Sequence, residues 1–204
     1  MNKPVIGFEN VGAGFAEPVA DAQAMFRCIL DATAHPGRTI EIPGLLANNT
    51  GQDTKLSGAA TAVALTLLDF ETPVWLDAAL APAGNFLRFH CGVPLVTSPA
   101  DSRFAFADDI RGLPELTQFD LGTPDFPERS TTLVIEVPEL SEEPGLRLRG
   151  PGIQTSVPLR IDAISDIFWK KRADLASLFP LGLDLIFTCG RRLCVLPRTT
   201  NVEI

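Results

Sequence analysis

The chain has 204 residues, 46% of them apolar, with 25 acidic against 17 basic side chains and a net charge of -8. That is enough apolar material for one sizeable core and predicts a single α/β domain over residues 1–204. The acidic balance argues against non-specific binding to DNA or RNA, which depends on Lys and Arg neutralising phosphates. No apolar run approaches the ~18 residues of a membrane span, and Met1 to Phe8 lacks the apolar core of a leader, so a cytoplasmic protein is expected.

In chain order, Ala22, Met25, Phe26, Ile29 and Leu30 recur at helical spacing from Val19 to Ala34, and His35-Pro36-Gly37 supplies a stop. Arg27, Asp31 and Arg38 cannot all lie on the buried face of that helix. They are expected on its polar side and C-terminal turn. A short strand follows at Arg38 to Ile42, then a helix from about Leu56 to Leu68 and a buried-type strand at Val74-Trp75-Leu76. Phe86 to Cys91 reads as a brief helix ended by Gly92, with strands near Leu95-Val96 and Arg103 to Ala107. Gly112 to Glu128 has the Gly, Pro and Asp content of an irregular surface loop.

The run Thr131 to Val137 has the strongest strand propensity, and Gly145 to Arg149 is expected to pair with it across a turn at Ser141 to Pro144. A helix over about Ala163 to Leu178 places Ile164, Ile167, Phe168, Lys171, Leu175 and Leu178 on one stripe, with Asp162 or Ser165 as its cap. Strands at Leu183 to Phe187 and Leu193 to Leu196, joined at Gly190-Arg191, complete the pattern. Helices alternating with strands predict a layered α/β fold, made mixed by the hairpin.

The chemistry legible in these residues is sparse. Gly150-Pro151-Gly152 follows a strand, where its backbone could approach an anion or a neighbouring chain, or form a tight turn. Pro197-Arg198-Thr199-Thr200 sets a guanidinium beside two hydroxyls, either as a phosphate or carboxylate contact or as a solvated strand end. Asp184 sits in an apolar strand, and structural pairing with an arginine accounts for it better than acid-base catalysis. Thirteen of the seventeen cations are arginine, which suits bidentate contacts to carboxylate or phosphate, although biased base composition explains it equally well. No Walker lysine follows the Gly150 segment, and Gly12-Ala13-Gly14 lacks the third glycine of a dinucleotide fingerprint.

His35 and His90 belong to no triad or metal pair, Asp108-Asp109 fits a helix cap better than a metal site, and no metal is expected. The four cysteines form no CxxC pair and read as small core residues.

The blocks Phe26 to Asp31, His35-Pro-Gly-Arg38, Asp69 to Leu76, Arg129 to Ile135, Arg149 to Ile153, Phe179 to Ile186 and Leu196 to Thr200 together resemble the PhnH family, the H subunits of the bacterial carbon-phosphorus lyase core complex. The resemblance implies a cofactor-free relative of the pyridoxal-phosphate-dependent transferase fold that forms a homodimer and joins the G, I and J subunits. It implies an accessory role in a reaction of alkylphosphonate with MgATP. Adenine is displaced to give a ribose 1-phosphonate 5-triphosphate, with nucleosidase-like chemistry in the I subunit and later carbon-phosphorus cleavage in the J subunit. For methylphosphonate the product is alpha-D-ribose 1-methylphosphonate 5-triphosphate. No catalytic residue is carried over.

The binding or interface candidates are Arg27, Asp31, Arg38, Gly150, Pro151, Gly152, Asp184, Arg198 and Thr199. No lysine stands out as an aldimine former, since Lys170 and Lys171 lie in a predicted helix, Lys3 is terminal and Lys55 precedes a helix. The alternative is a stand-alone enzyme or binding protein that recognises a phosphorylated small molecule through its arginines.

Overall fold

A computed structural model describes residues 11–44 and 54–204. Lys3 and the N-terminal stretch read above lie outside them. Helix α1 (Pro18–Ala34) starts with proline in its first turn and ends at His35, whose backbone N–H still donates to the Asp31 carbonyl. Gly37 then takes a positive φ of 89°. Strand β1 (Ile40–Glu41) follows, and α2 (Gly58–Leu67) is capped by Ser57, whose hydroxyl accepts from the Ala60 N–H. A run of small residues, Ala59 to Ala64, buries the middle of α2 on every side.

Strand β2 (Val74–Leu76), α3 (Ala83–Cys91) and β3 (Leu95–Val96) form a parallel crossover, with Gly92 left-handed at the end of α3. Strands β4 (Phe104–Ala107), β5 (Thr132–Glu136), β8 (Asp184–Cys189) and β9 (Arg192–Leu196) complete a seven-stranded sheet of order β1-β9-β8-β5-β4-β2-β3. Its pairings are parallel from β3 through β8, and β9 runs against both of its neighbours. Six strands therefore share one direction.

Alternation along the strands divides the core. Phe106, Val134, Ile186, Leu193 and Val195 face α1, α2 and α3, whereas Ala105, Leu133, Ile135, Leu185, Phe187 and Leu196 face the opposite layer. That layer holds α4 (Asp166–Leu175) and a three-stranded antiparallel sheet of β10 (Asn201–Glu203), β6 (Leu140–Arg149) and β7 (Val157–Ile161).

Two expectations are corrected. Residues 145–149 do not pair with the Thr131 to Val137 strand. Both sides of β5 are taken by β4 and β8, and β6 pairs with β7 and β10 in a separate sheet. The supposed turn at 141–144 is instead an irregularity inside β6, where the register shifts between Ser141 and Leu146 while the partner strand advances from Arg160 to Leu159. In α4 the buried face is Phe168, Trp169, Arg172 and Leu175, whereas Ile167 is exposed. Ser165 caps it and its last turn, 176–178, tightens to a 3-10 helix. Of the cysteines, Cys194 is buried and the other three are half-buried, all as thiols. Burial pushes both Cys91 and Cys194 up to about 12. No described helix is long and apolar enough to cross a membrane.

Candidate functional site

Asp184 opens β8, and the chain leaving β9 turns back over it at Pro197–Thr200, closed by the Thr200 N–H donating to the Pro197 carbonyl at 2.9 Å. Within that turn, Arg198 donates to Asp184 three times: from its backbone N–H at 2.7 Å and Nε at 3.3 Å to Oδ1, and from Nη2 to Oδ2. Nη1 donates to the carbonyls of Pro127 at 2.9 Å and Pro180 at 3.1 Å, and Nη2 also reaches the Ser130 hydroxyl. All five N–H groups of this guanidinium are thereby engaged. Its side chain is 15% exposed, against 31% for Asp184. Arg198 is therefore a clamp on three chain segments.

A second arginine holds the same turn from below. Arg172 of α4 donates from Nη1 to the Thr200 carbonyl at 2.8 Å and from Nη2 to the Pro197 carbonyl at 2.9 Å. It is 8% exposed, and burial lowers its guanidinium to about 10, partly offset by the charge of Asp184.

The other predicted residues gather where α1 meets the end of β6. The Asp31 carboxylate bridges His35 Nδ1 at 3.1 Å and Arg38 Nη1 at 2.9 Å on the surface. Gly152, at φ 82°, packs so closely there that a Cβ would stand 2.3 Å from the Ala34 carbonyl oxygen. Gly150, at φ 142°, passes the Thr199 carbonyl in the same way, at 2.8 Å. Glycine at these two positions thus serves chain crossing rather than anion cradling. The crossing leaves a cavity of about 340 Å³ lined by His35, Arg38, Glu142 and Gly152 among others. Asp31, Arg38 and Gly152 come together here, Asp184 and Arg198 form the clamp, and Gly150 against Thr199 joins the two into one belt. Pro151 lies between the two glycines, exposed. Arg27 stays exposed on α1 outside the belt and joins no ion pair among the described residues.

A larger opening lies elsewhere among the described residues, at the carboxyl ends of β4, β5 and β8, where open parallel sheets place their ligands. This crevice of about 620 Å³ is lined by Asp108, Asp109, Arg111, Glu136, Ala163 and Cys189, among others. Asp109 caps the turn at Ile110–Gly112 and pairs with the Arg111 guanidinium, which holds its carboxyl below the usual range. Asp77, buried at the end of β2, accepts from the Leu80 and Asp108 N–H groups at 2.8 Å each and so ties β2 to β4. Glu136 ends β5 half-buried. It accepts from the Thr188 hydroxyl, the Gly190 N–H at 3.0 Å and the Ser57 hydroxyl, yet desolvation outweighs these bonds and raises its carboxyl. The two described non-glycine residues with positive φ, Lys55 (59°) and Ala163 (66°), each line a cavity that Glu136 also lines.

The family model described as bacterial phosphonate metabolism protein (PhnH) matches residues 13–203. The chain belongs to this family. It is 40% identical over 191 residues to the alpha-D-ribose 1-methylphosphonate 5-triphosphate synthase subunit PhnH of Rhizobium meliloti (strain 1021), covering 93% of this chain and 94% of that one. It is 34% identical over 185 residues to a putative C-P lyase subunit protein, HtxG, of Stutzerimonas stutzeri, covering 89% and 86%. The family blocks are thus spread over both the belt and the sheet that carries it. Sequence reasoning missed Arg172 and Glu136. A cation four residues after Phe168 and three before Leu175 was the available signal for Arg172, while Glu136 ends an apolar run as any strand-terminal carboxylate would.

Proposed function

We propose that this protein is an accessory subunit of the carbon-phosphorus lyase core complex in phosphonate catabolism. In this reading it assists formation of alpha-D-ribose 1-methylphosphonate 5-triphosphate from ATP and methylphosphonate and carries no catalytic centre of its own. The carrying observation is the 40% identity, across nearly the whole of both chains, to a protein named as a subunit of that synthase. The belt supports it too, because Arg198 has each N–H committed to its own chain and the glycines pack against backbone, as suits a rigid scaffold.

The finer reading is a single cytoplasmic domain acting as a homodimer and joining the G, I and J subunits. A sheet with six strands parallel and only β9 reversed supports kinship with the pyridoxal-phosphate-dependent transferase fold, here without cofactor. An apolar face left open on α1, with Val19 86%, Phe26 51% and Leu30 57% exposed, supports burial against another subunit, and Arg27 lies beside it.

Co-expression of the tagged chain with its G, I and J partners, followed by mass determination of the eluted assembly, tests this. A stoichiometric complex is expected, with Phe26→Glu weakening recovery at an unchanged thermal midpoint. A folded chain that elutes alone would reject the reading and favour an independent small-molecule binder.

A further inference from the structure

Charge around the crevice at the carboxyl ends of β4, β5 and β8 is one-sided. Its volume of about 620 Å³ falls in the range of small-molecule sites. Three carboxylates line it, Asp108, Asp109 and Glu136, against a single guanidinium, Arg111. That guanidinium is already engaged, since Arg111 donates to Asp109 from Nε at 2.9 Å and from Nη2. The exposed Asp108 side chain makes no ion pair or hydrogen bond among the described residues. Glu136 accepts only from uncharged donors, the Thr188 and Ser57 hydroxyls and the Gly190 N–H. Gly190 is itself part of the lining, which sets the Glu136 carboxylate at the crevice wall. The nearby cations meet neither carboxylate. Arg192 reaches the Cys189 sulfur at 3.6 Å, and the exposed Lys55 joins no ion pair among the described residues.

The acidic wall is also held in place. Asp77, buried, accepts from the Asp108 N–H at 2.8 Å, and Asp109 caps the turn that follows. Burial chiefly, and the charge of Asp108 besides, raise the Glu136 carboxyl, so the two groups lie within electrostatic reach of each other. A phosphate or nucleotide would be repelled here. No group of three His, Cys, Asp or Glu among the described residues is placed to hold a metal ion. The rest of the lining, with Ile110, Val137, Pro138 and Ala163, is hydrocarbon. An organic cation meets both features, its ammonium groups on the carboxylates and its methylenes on the apolar wall.

We propose that this crevice binds a small aliphatic diamine, with one ammonium on Asp108, the other on Glu136, and the methylene chain along Ile110, Val137 and Ala163. Two carboxylates without a counter-charge match two ammonium groups. The site belongs to the chain itself and does not rest on the subunit reading.

Calorimetric titration of the full chain with 1,5-diaminopentane, in about 0.15 M salt to screen diffuse attraction, tests the proposal. Saturable binding of one diamine per chain is expected, with none of glutarate or 1,5-pentanediol, which share its length without its charge. Asp108→Asn, at an exposed position outside the hydrogen-bond network, should weaken binding about tenfold or more at an unchanged thermal midpoint. Arg111→Ala frees Asp109 and should tighten binding several-fold. Arg160→Ala, the same change of charge on the exposed edge of the other sheet, should leave it unaltered. Absence of saturable binding, an undiminished affinity in Asp108→Asn, or equal tightening in Arg111→Ala and Arg160→Ala would each overturn the proposal. Displacement of the diamine by magnesium chloride at matched charge would mean a diffuse counter-ion only, and would overturn it equally.

Discussion

At the scale of single residues, the contrast between Arg38 and Arg198 shows how little a side chain's identity says about its task. Both are arginines beside an aspartate in a family block. Arg38 meets Asp31 in solvent with 56% of its side chain exposed, a setting in which ion pairs contribute at most about 1 kcal/mol. Arg198 is mostly buried and donates to five separate acceptor atoms on two other chain segments, 127–130 and 180–184. Arg198→Ala should therefore cost about 2–3 kcal/mol, because Asp184 and two carbonyls lose their donors, whereas Arg38→Ala should stay within about 0.5 kcal/mol. Arg198→Lys restores a charge opposite Asp184 without the planar fork and should recover only part of the loss. Urea denaturation of the three variants measures this, and equal midpoints for Arg38→Ala and Arg198→Ala would refute the clamp. The pairing of Asp184 with an arginine was legible in the sequence, since a carboxylate in an apolar strand has few other ways to persist. The full engagement of Arg198 was not, because four of its side-chain acceptors come from segments 68 to 71 residues or 14 to 18 residues away, brought near only by the fold.

At the scale of elements, what the sequence made legible were segments whose signal is local. Helix α1 and its stop, the strands at 74–76 and 95–96, and the β8–β9 hairpin all stand where periodicity, proline and glycine placed them. What it hid were pairings decided at a distance. Strand β7 carries Pro158, which disguises it, and β10 is three largely polar residues with no burial pattern of its own. Pro144-Gly145 punctuates β6 as a turn would, but there Gly145 lets the chain approach the Leu159 carbonyl in mid-strand. The belt glycines make a prediction at this scale. Gly152→Ala sets a Cβ against the Ala34 carbonyl at a positive φ and should cost about 2–3 kcal/mol, while Gly190→Ala, at φ 60° with open space around it, should cost only about 1 kcal/mol. Thermal denaturation that ranks them in the opposite order would show that the end of α1 does not bear on β6.

At the scale of the whole molecule, the sheet separates two regions with opposite electrostatic logic. The belt spends its charges on one another, whereas the carboxyl-end crevice keeps a carboxylate, Glu136, whose burial is only partly compensated. The sign of its effect on stability follows from the direction of its shift. A carboxyl raised in the folded state holds its proton when the unfolded chain has released it, so the folded form binds more protons over that window. Stability must then fall as pH rises from the ordinary glutamate value through the raised one, and it levels off above. Glu136→Gln removes the titration and the desolvation of a charge, but keeps one oxygen to accept from the Gly190 N–H or the Thr188 hydroxyl. The variant should show a flatter unfolding free energy as pH rises above the ordinary glutamate value, closing on or exceeding the wild type once the raised carboxyl has ionised. Denaturant titrations across that range decide it. A wild-type curve that rises with pH as steeply as the variant's would mean that Thr188, Gly190 and Ser57 stabilise the carboxylate more than burial penalises it, and the crevice would lose its one carboxylate raised by burial.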